Sequence, residues 1–497
     1  MRADTPGVTS EPMLNRRQFL ASAAGIVAGA ALGGAGAQAR YTPRLGAAAE
    51  PGTGKTVAVR LSAAERPNAL PCFGGHALPL WTFADGKWPP LIRLNLGDRL
   101  EAKLENRLPR PGEITSIHWH GIRLPNDQDG VPYLVQAPVR PGETFHYSFV
   151  PPDTGTFFFH THCNTVEQLG RGLVGILIID GDTTEPYDAD QVLVIRDWHV
   201  DPAVGEFSPF FTLRGAGRAG TFGPLRSVNG AVNPEIALPA SGDCRLRLIN
   251  ADTTRIMQVG VEGAEAAIIA IDGIAVSPVP LSRWPMAPAT RIDIVLRAPQ
   301  GTRIARLVDR STRERVELAH FVGSGEPRRK GHFSPAPLRA GRIPEPDLKA
   351  ATRLAFAFHA SDTGRLVAAP DDSAYGPLGE ICTNSRTFWT INDHAWPERD
   401  HSRLPPPLAV LERDRSYIFL LKNSSEFSHP IHIHGHTFKF LRSNKQNRPA
   451  HYTDTLLLLP DEQAEVAFVA DNPGDWMFHC HIIEHQETGM MGYIRVA

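Results

Sequence analysis

From Thr56 onward the chain alternates apolar and polar residues in short runs. Thr56-Val57-Ala58-Val59-Arg60-Leu61 changes side at every step, as does Leu91-Ile92-Arg93-Leu94-Asn95-Leu96 before the Gly97-Asp98 turn. A period of two puts one face of an extended strand on a core and the other toward water. Phe145–Val150 and Gly172–Ile179 continue the pattern and close a first unit near Asp180. A second unit opens with Gln191–Ile195 and includes Ser227-Val228-Asn229-Gly230, Cys244–Asn250 and Arg291–Leu296. A linker rich in Pro, Gly and Arg runs from about Ser324 to Pro346. The third unit repeats the theme of the second: Phe388-Trp389-Thr390-Ile391-Asn392, then a strand ending in Asn, Tyr417–Asn423. The 44 glycines and 43 prolines are spread along the chain and punctuate these runs. The expectation is an all-β protein of three related β-sandwich domains, at 40–182, 183–335 and 347–497.

The first 39 residues do not fit that pattern. Asn15-Arg16-Arg17-Gln18-Phe19-Leu20 carries a twin arginine, a small apolar run follows from Ala21 to Ala37, and Ala37-Gln38-Ala39 is a cleavage signal of A-x-A type. This resembles a twin-arginine export signal cut before Arg40, which implies a periplasmic or secreted protein. The run is short and rich in Ala and Gly for a membrane anchor, and no later stretch is long and apolar enough to span as a helix. A formal charge of −2 with no clustered Lys and Arg argues against a nucleic-acid groove or a polybasic membrane patch. Of five cysteines, Cys480 stands between histidines, and an oxidising compartment would permit pairing among Cys72, Cys163, Cys244 and Cys382. The sequence does not choose among the three pairings.

Half of the 20 histidines fall in four clusters: His118-Trp119-His120, His160-Thr161-His162, His429-Pro430-Ile431-His432-Ile433-His434, and His479-Cys480-His481 followed by His485. A single His-x-His is weak evidence of a metal, but four together are strong. On a strand, residues two apart share a face, so the pairs His118/His120, His160/His162, His432/His434 and His479/His481 each point one way. Eight imidazoles suit copper and are enough for three ions with open positions for oxygen. Trp119 and Cys480 point away from their flanking histidines. Cys480, His485 and Met490 then form part of a second set. His429, an odd three residues from His432, faces the Cys480 side. Two His, one Cys and a weak axial Met are the ligands of a blue-copper electron-transfer centre.

These motifs resemble those of the multicopper oxidases of the three-domain, laccase-like kind. The resemblance implies three consecutive cupredoxin-like Greek-key domains and four copper ions. It assigns His429, Cys480, His485 and Met490 to a type 1 copper, and His118 and His432 to a type 2 copper. His120, His160, His162, His434, His479 and His481 go to a type 3 pair. It further implies that a small-molecule reductant gives single electrons at the type 1 copper and that dioxygen is reduced to water at the other three. No nucleic-acid partner is expected, and the protein should be a monomer.

Oxygen reduction consumes protons, so a carboxylate should approach the cluster. The resemblance points to Asp129, in Asn126-Asp127-Gln128-Asp129-Gly130, as the acid beside the type 2 copper. Bacterial cuprous oxidases of the family often carry Glu directly after the second type 1 histidine. Here that residue is Gln486, which cannot relay a proton as a carboxylate does, and Glu484 and Glu487 are weak substitutes. The chain has 7 Met and no methionine-rich segment, which favours phenols and aromatic amines over copper(I) as donors. Metal oxidation for copper tolerance and a non-catalytic scaffold of the same fold are the alternatives.

Overall fold

A computed structural model describes residues 54–183, 186–360, 388–396 and 404–497. The twin-arginine segment and Cys382 lie outside the described residues. The alternating runs become strands at the expected places, among them Thr56–Asn68, Leu91–Asn95, Thr144–Phe149, Ala189–Trp198, Asp243–Asn250, Arg291–Arg297 and Ser416–Asn423. Leu91–Asn95 shows the alternation at its plainest, with Ile92 and Leu94 buried and Leu91, Arg93 and Asn95 exposed. Val174–Ile179 is buried on both faces and reads accordingly as a continuous apolar run.

Six sheets pair into three sandwiches with the same crossovers. In each, an opening strand runs parallel to a later one: Thr56–Asn68 beside Arg99–Arg107, Ala189–Trp198 beside Asp243–Asn250, and Thr352–Ala360 beside Ser416–Asn423. A second parallel pair ends each unit: Leu91–Asn95 with Val174–Asp180, Glu235–Pro239 with Val316–Ser324, and Ala409–Leu411 with Met491–Val496. The remaining pairings are antiparallel, so each unit is a Greek-key sandwich. Each has its own core, around Trp119 and Phe159, Leu248 and Ile294, and Phe419 and Phe478 respectively. A further cluster joins all three, packing Trp88 and Phe158 on Trp198, Ile249 and Ile483. That junction holds the first and third units in fixed register where their histidines meet.

Cys72, Cys163, Cys244 and Cys480 are buried, and among the described residues no disulfide joins them. Burial pushes the thiols of Cys72 and Cys244 up, to about 11 and about 12, so they are inert packing groups.

Candidate metal centres

The eight paired histidines come from two strands of the first unit and two of the third, with His162, His434 and His481 just past the strand ends. His118–His120 lies against Gly155–His160, with His118 opposite His160. His429–Ile433 lies between Thr455–Leu458 and Gly474–Cys480, with His432 opposite His479. The two pairs of strands face each other, so that His118 stacks on His434 with centroids 3.7 Å apart and His120 on His432 at 3.9 Å. Ring nitrogens converge in the groups His118/His120/His160, His118/His432/His434 and His162/His434/His479, each within 4.8 Å. His481 meets the same assembly, 5.0 Å from His120 and 5.2 Å from His160. Trp119 points the other way, into the first core.

Hydrogen bonds fix which nitrogen of each ring faces inward. Nδ1–H of His118 donates to the Asp129 carbonyl at 3.0 Å, that of His160 to Thr161 O at 2.8 Å, and that of His432 to Asp454 O at 2.7 Å. A carbonyl only accepts, so these nitrogens carry the proton and the opposite Nε2 presents a lone pair. The Nε2 atoms of His118, His160 and His432 are buried and have no hydrogen-bond partner. His120 is reversed: Nε2–H donates to Asp454 Oδ1 at 3.2 Å, and the partnerless atom is Nδ1. Burial holds His120, His160, His162, His432, His434 and His481 well below the ordinary histidine range, so all are neutral at neutral pH. Inward lone pairs on neutral imidazoles, each held by an outer partner, are what a cluster of copper ions requires.

Two carboxylates serve this cluster. Asp129 is buried, its Oδ2 accepting from His434 Nδ1 at 2.8 Å with Oδ1 3.2 Å from His118 Nδ1. Gly130 follows at φ +85°, and a Cβ there would meet Ile117 O at 1.7 Å, so only glycine lets this loop deliver Asp129. The second is Asp454, which no spacing argument singled out. Its carboxylate holds His120 and is itself held by Arg291 of the middle unit, through contacts of 2.9 and 2.7 Å. Arg291 is fully buried, and its remaining donors go to Thr156 O, Ala289 O and Asp272 O. All five guanidinium hydrogens are thereby used. Asp272, pushed up by burial and by Asp454, accepts from Arg291 N at 2.8 Å and from the Thr453 hydroxyl. The Gly121 after His120 leaves room for this clamp: a Cβ would meet Arg291 and Asp454 side chains at 2.4 Å.

The other face of Gly474–Cys480 carries the second ligand set. Cys480 Sγ lies 3.6 Å from Nδ1 of His429 and 3.6 Å from Nδ1 of His485, and these two nitrogens are 3.0 Å apart. Their outer nitrogens are bonded, His429 Nε2 to Ser425 Oγ at 2.8 Å and His485 Nε2–H to Arg218 O at 2.6 Å. Met490 is buried in the same core, its carbonyl accepting from Cys480 N at 3.0 Å. Burial alone drives the Cys480 thiol well up and His485 down to about 3. A bound cation would reverse the first of these by favouring the thiolate.

All twelve ligand candidates are therefore brought into two places. Gln486 is 1 % exposed, and both atoms of its amide lack a partner. Glu484 is not solvated: it accepts from Thr212 N at 3.2 Å, Thr221 Oγ1 at 2.7 Å and Thr221 N. Glu487, raised to about 7 by burial, accepts from Val166 N at 2.9 Å. Both are structural anchors between units.

Sequence profiles of the family described as multicopper oxidase match residues 71–184, 179–306 and 381–497. The multicopper oxidase MmcO of Mycobacterium tuberculosis is 30% identical over 96% of this chain and 95% of its own length. The chain belongs to the multicopper oxidase family. The solved multi-copper oxidase of Pseudomonas thermotolerans is 38% identical, with a TM-score of 0.77 over 89% of this chain and 99% of its own. That of Pseudomonas parafulva is 36% identical, with a TM-score of 0.77 over 88% and 100%. Laccase-3 of Thanatephorus cucumeris is 27% identical over 82% of this chain and 86% of its length. This multicopper oxidase thus has the cupredoxin-like fold that its motifs implied, and is a copper-dependent oxidoreductase with oxygen as acceptor.

Proposed function

We propose that this multicopper oxidase is laccase-like, taking single electrons from phenols or aromatic amines and reducing dioxygen to water. When bound, four copper ions would supply the redox chemistry, one collecting electrons and three delivering four of them to dioxygen. In this reading His429, Cys480, His485 and Met490 hold the collecting ion. His118 and His432 hold a type 2 ion, and His120, His160, His162, His434, His479 and His481 hold a type 3 pair. The observation that carries the reading is that one strand presents Cys480 to one ligand set and His479 to the other, with His481 directly after it reaching His120 and His160. Covalent bonds of the backbone therefore join the two sites. Asp129, in contact with both His118 and His434, is the group best placed to pass protons to reduced oxygen. The twin arginine at Arg16-Arg17 and Ala37-Gln38-Ala39 support export to the periplasm or beyond, and we read the mature chain as a monomer.

A second reading is metal oxidation. It draws support from similarity to the iron transport multicopper oxidase fio1 of Schizosaccharomyces pombe, 25% identical over 82% of this chain. The low methionine count speaks against copper(I) as the donor. Oxygen uptake by copper-loaded protein separates the readings. We expect strong blue absorption and consumption of oxygen with 2,6-dimethoxyphenol. Uptake with copper(I) or iron(II) but not with the phenol would favour the metal oxidase. A colourless, copper-saturated protein would leave only a scaffold role.

A further inference from the structure

The collecting site is roofed by the segment 212–221 of the middle unit. Arg218 O receives His485 Nε2–H at 2.6 Å, and Ala216 O receives the Trp389 indole N–H at 2.6 Å. The Trp389 ring lies 4.9 Å from that of His429 and 4.7 Å from that of His485. Glu484 clasps both ends of the roof, at Thr212 and Thr221. Gly220, at φ +93°, lets the chain pass Thr254, whose Cγ2 would lie 2.4 Å from a Cβ. His485 is fully buried beneath this cover. A donor on the outer face of the roof is therefore separated from the His485 ring by the Arg218 peptide.

The outer face of the roof has a definite chemistry. Arg214 and Arg218 are exposed. Among the described residues, no carboxylate lies within ion-pair distance of either. Leu213 is 42% exposed and Phe222 46%. Arg255, stacked 4.6 Å from Phe222, is already neutralised by Asp197. The exposed carboxylate nearest in sequence to a ligand, Glu426, belongs to the loop that caps His429 instead. The roof over His485 thus carries two exposed arginines that pair with no carboxylate among the described residues, together with two exposed apolar side chains.

We propose that this roof selects anionic aromatic donors, phenols bearing a carboxylate on the ring or a short side chain. The proposal rests on the laccase-like reading above. The carboxylate pairs with Arg214 and Arg218, the ring lies on Leu213 and Phe222, and the electron enters through the Arg218 carbonyl and its hydrogen bond to His485. Each donor loses one electron and its phenolic proton to become a phenoxyl radical. Four donors and one dioxygen yield four radicals and two waters. A carboxylate between two partly exposed guanidinium groups gains roughly tenfold in affinity, and the gain fades with salt.

The matched pair of donors is syringate and 2,6-dimethoxyphenol, which differ only by the carboxylate. In Arg214→Gln/Arg218→Gln, with blue absorption as the check on folding, the KM ratio of syringate to 2,6-dimethoxyphenol should rise roughly tenfold. Titration calorimetry of copper-loaded protein gives a readout free of turnover. The inert analogue 3,5-dimethoxybenzoate should bind the wild type, more weakly as salt rises, and lose roughly tenfold in the variant. An unchanged KM ratio and unchanged binding in the variant, with both donors still oxidised, overturn the role of the roof alone. Blue protein that oxidises neither donor overturns the laccase-like reading itself.

Discussion

The two faces of the strand Gly474–Cys480 carry candidate metal sites of opposite character. Behind His479 and His481 the surroundings are polar: Asp129, Asp454, Arg291 and Asp272 form a buried, hydrogen-bonded lattice. Behind Cys480 they are dry: Trp389, Met490 and Phe478 belong to an apolar core, and the histidines' outer bonds go to a hydroxyl and a carbonyl. A site that moves electrons needs rigid ligands and little reorganisation. A site that makes water needs charged groups able to hold and hand over protons. The contrast teaches that the middle unit is more than a spacer, since it supplies Arg291 to one site and the roof to the other.

The largest expected effect separates the faces outright. Cys480→Ser should abolish the blue absorption and the oxidation of donors while the histidine cluster still binds copper; loss of all copper would mean the sites are not independent. Acid should act on the copper-free protein through the histidines of both faces. His479 and His485 ordinarily titrate near 6.5 but are held down to about 3 by burial. Below pH 6.5 the unfolded chain gains protons that the folded chain refuses, so stability is full above 6.5 and falls toward 3. Each such histidine costs about 1.4 kcal/mol per pH unit in that window. Melting temperature followed from pH 7 to 5 should collapse, and copper should postpone the collapse; a flat profile in the copper-free protein would contradict neutral burial.

Arg291→Met leaves the Asp454 carboxylate buried without its cationic partner, at a cost of about 3–5 kcal/mol. We expect lower thermal stability and altered electron paramagnetic resonance of the cluster copper with the blue absorption kept, and partial rescue by Arg291→Lys. Asp129→Asn should slow reoxidation by dioxygen about a hundredfold and leave the colour, and unchanged reoxidation would reject a proton-handling role. Smallest, Glu484→Gln should loosen the roof by about 1–2 kcal/mol, read as faster hydrogen exchange at the Thr212 and Thr221 amides.

The clustering of the ligand candidates was legible because strand geometry is local. Residues two apart share a face, and the odd spacing of His429 from His432 sends it to the side of Cys480, where the structure has it. Asp129 could be suspected only from the resemblance, since an acid before glycine is by itself an ordinary turn. Asp454 could not, since a carboxylate between two threonines has no ligand spacing and gains its meaning only where Arg291 and His120 reach it. Asp272, Arg291 and the Arg218 carbonyl lie in the middle unit, whose sequence carries no histidine pair and whose approach to the sites is wholly tertiary. The apparent spare acid Glu484 turned out to be a clasp for the same reason: its partners are more than 250 residues away in sequence.

The shared strands also set what the gene can tolerate. Because side chains alternate with a period of two, inserting one residue between His429 and His432 would turn part of the ligand array to the wrong face. The same holds for one residue added between His479 and Cys480. Point substitutions at either strand remove one ligand, whereas a change of length there unmakes the donor site and the oxygen site together. Length variation in this oxidase should therefore gather in loops far from these two strands, and a randomised-insertion library selected for blue colour would map that boundary directly.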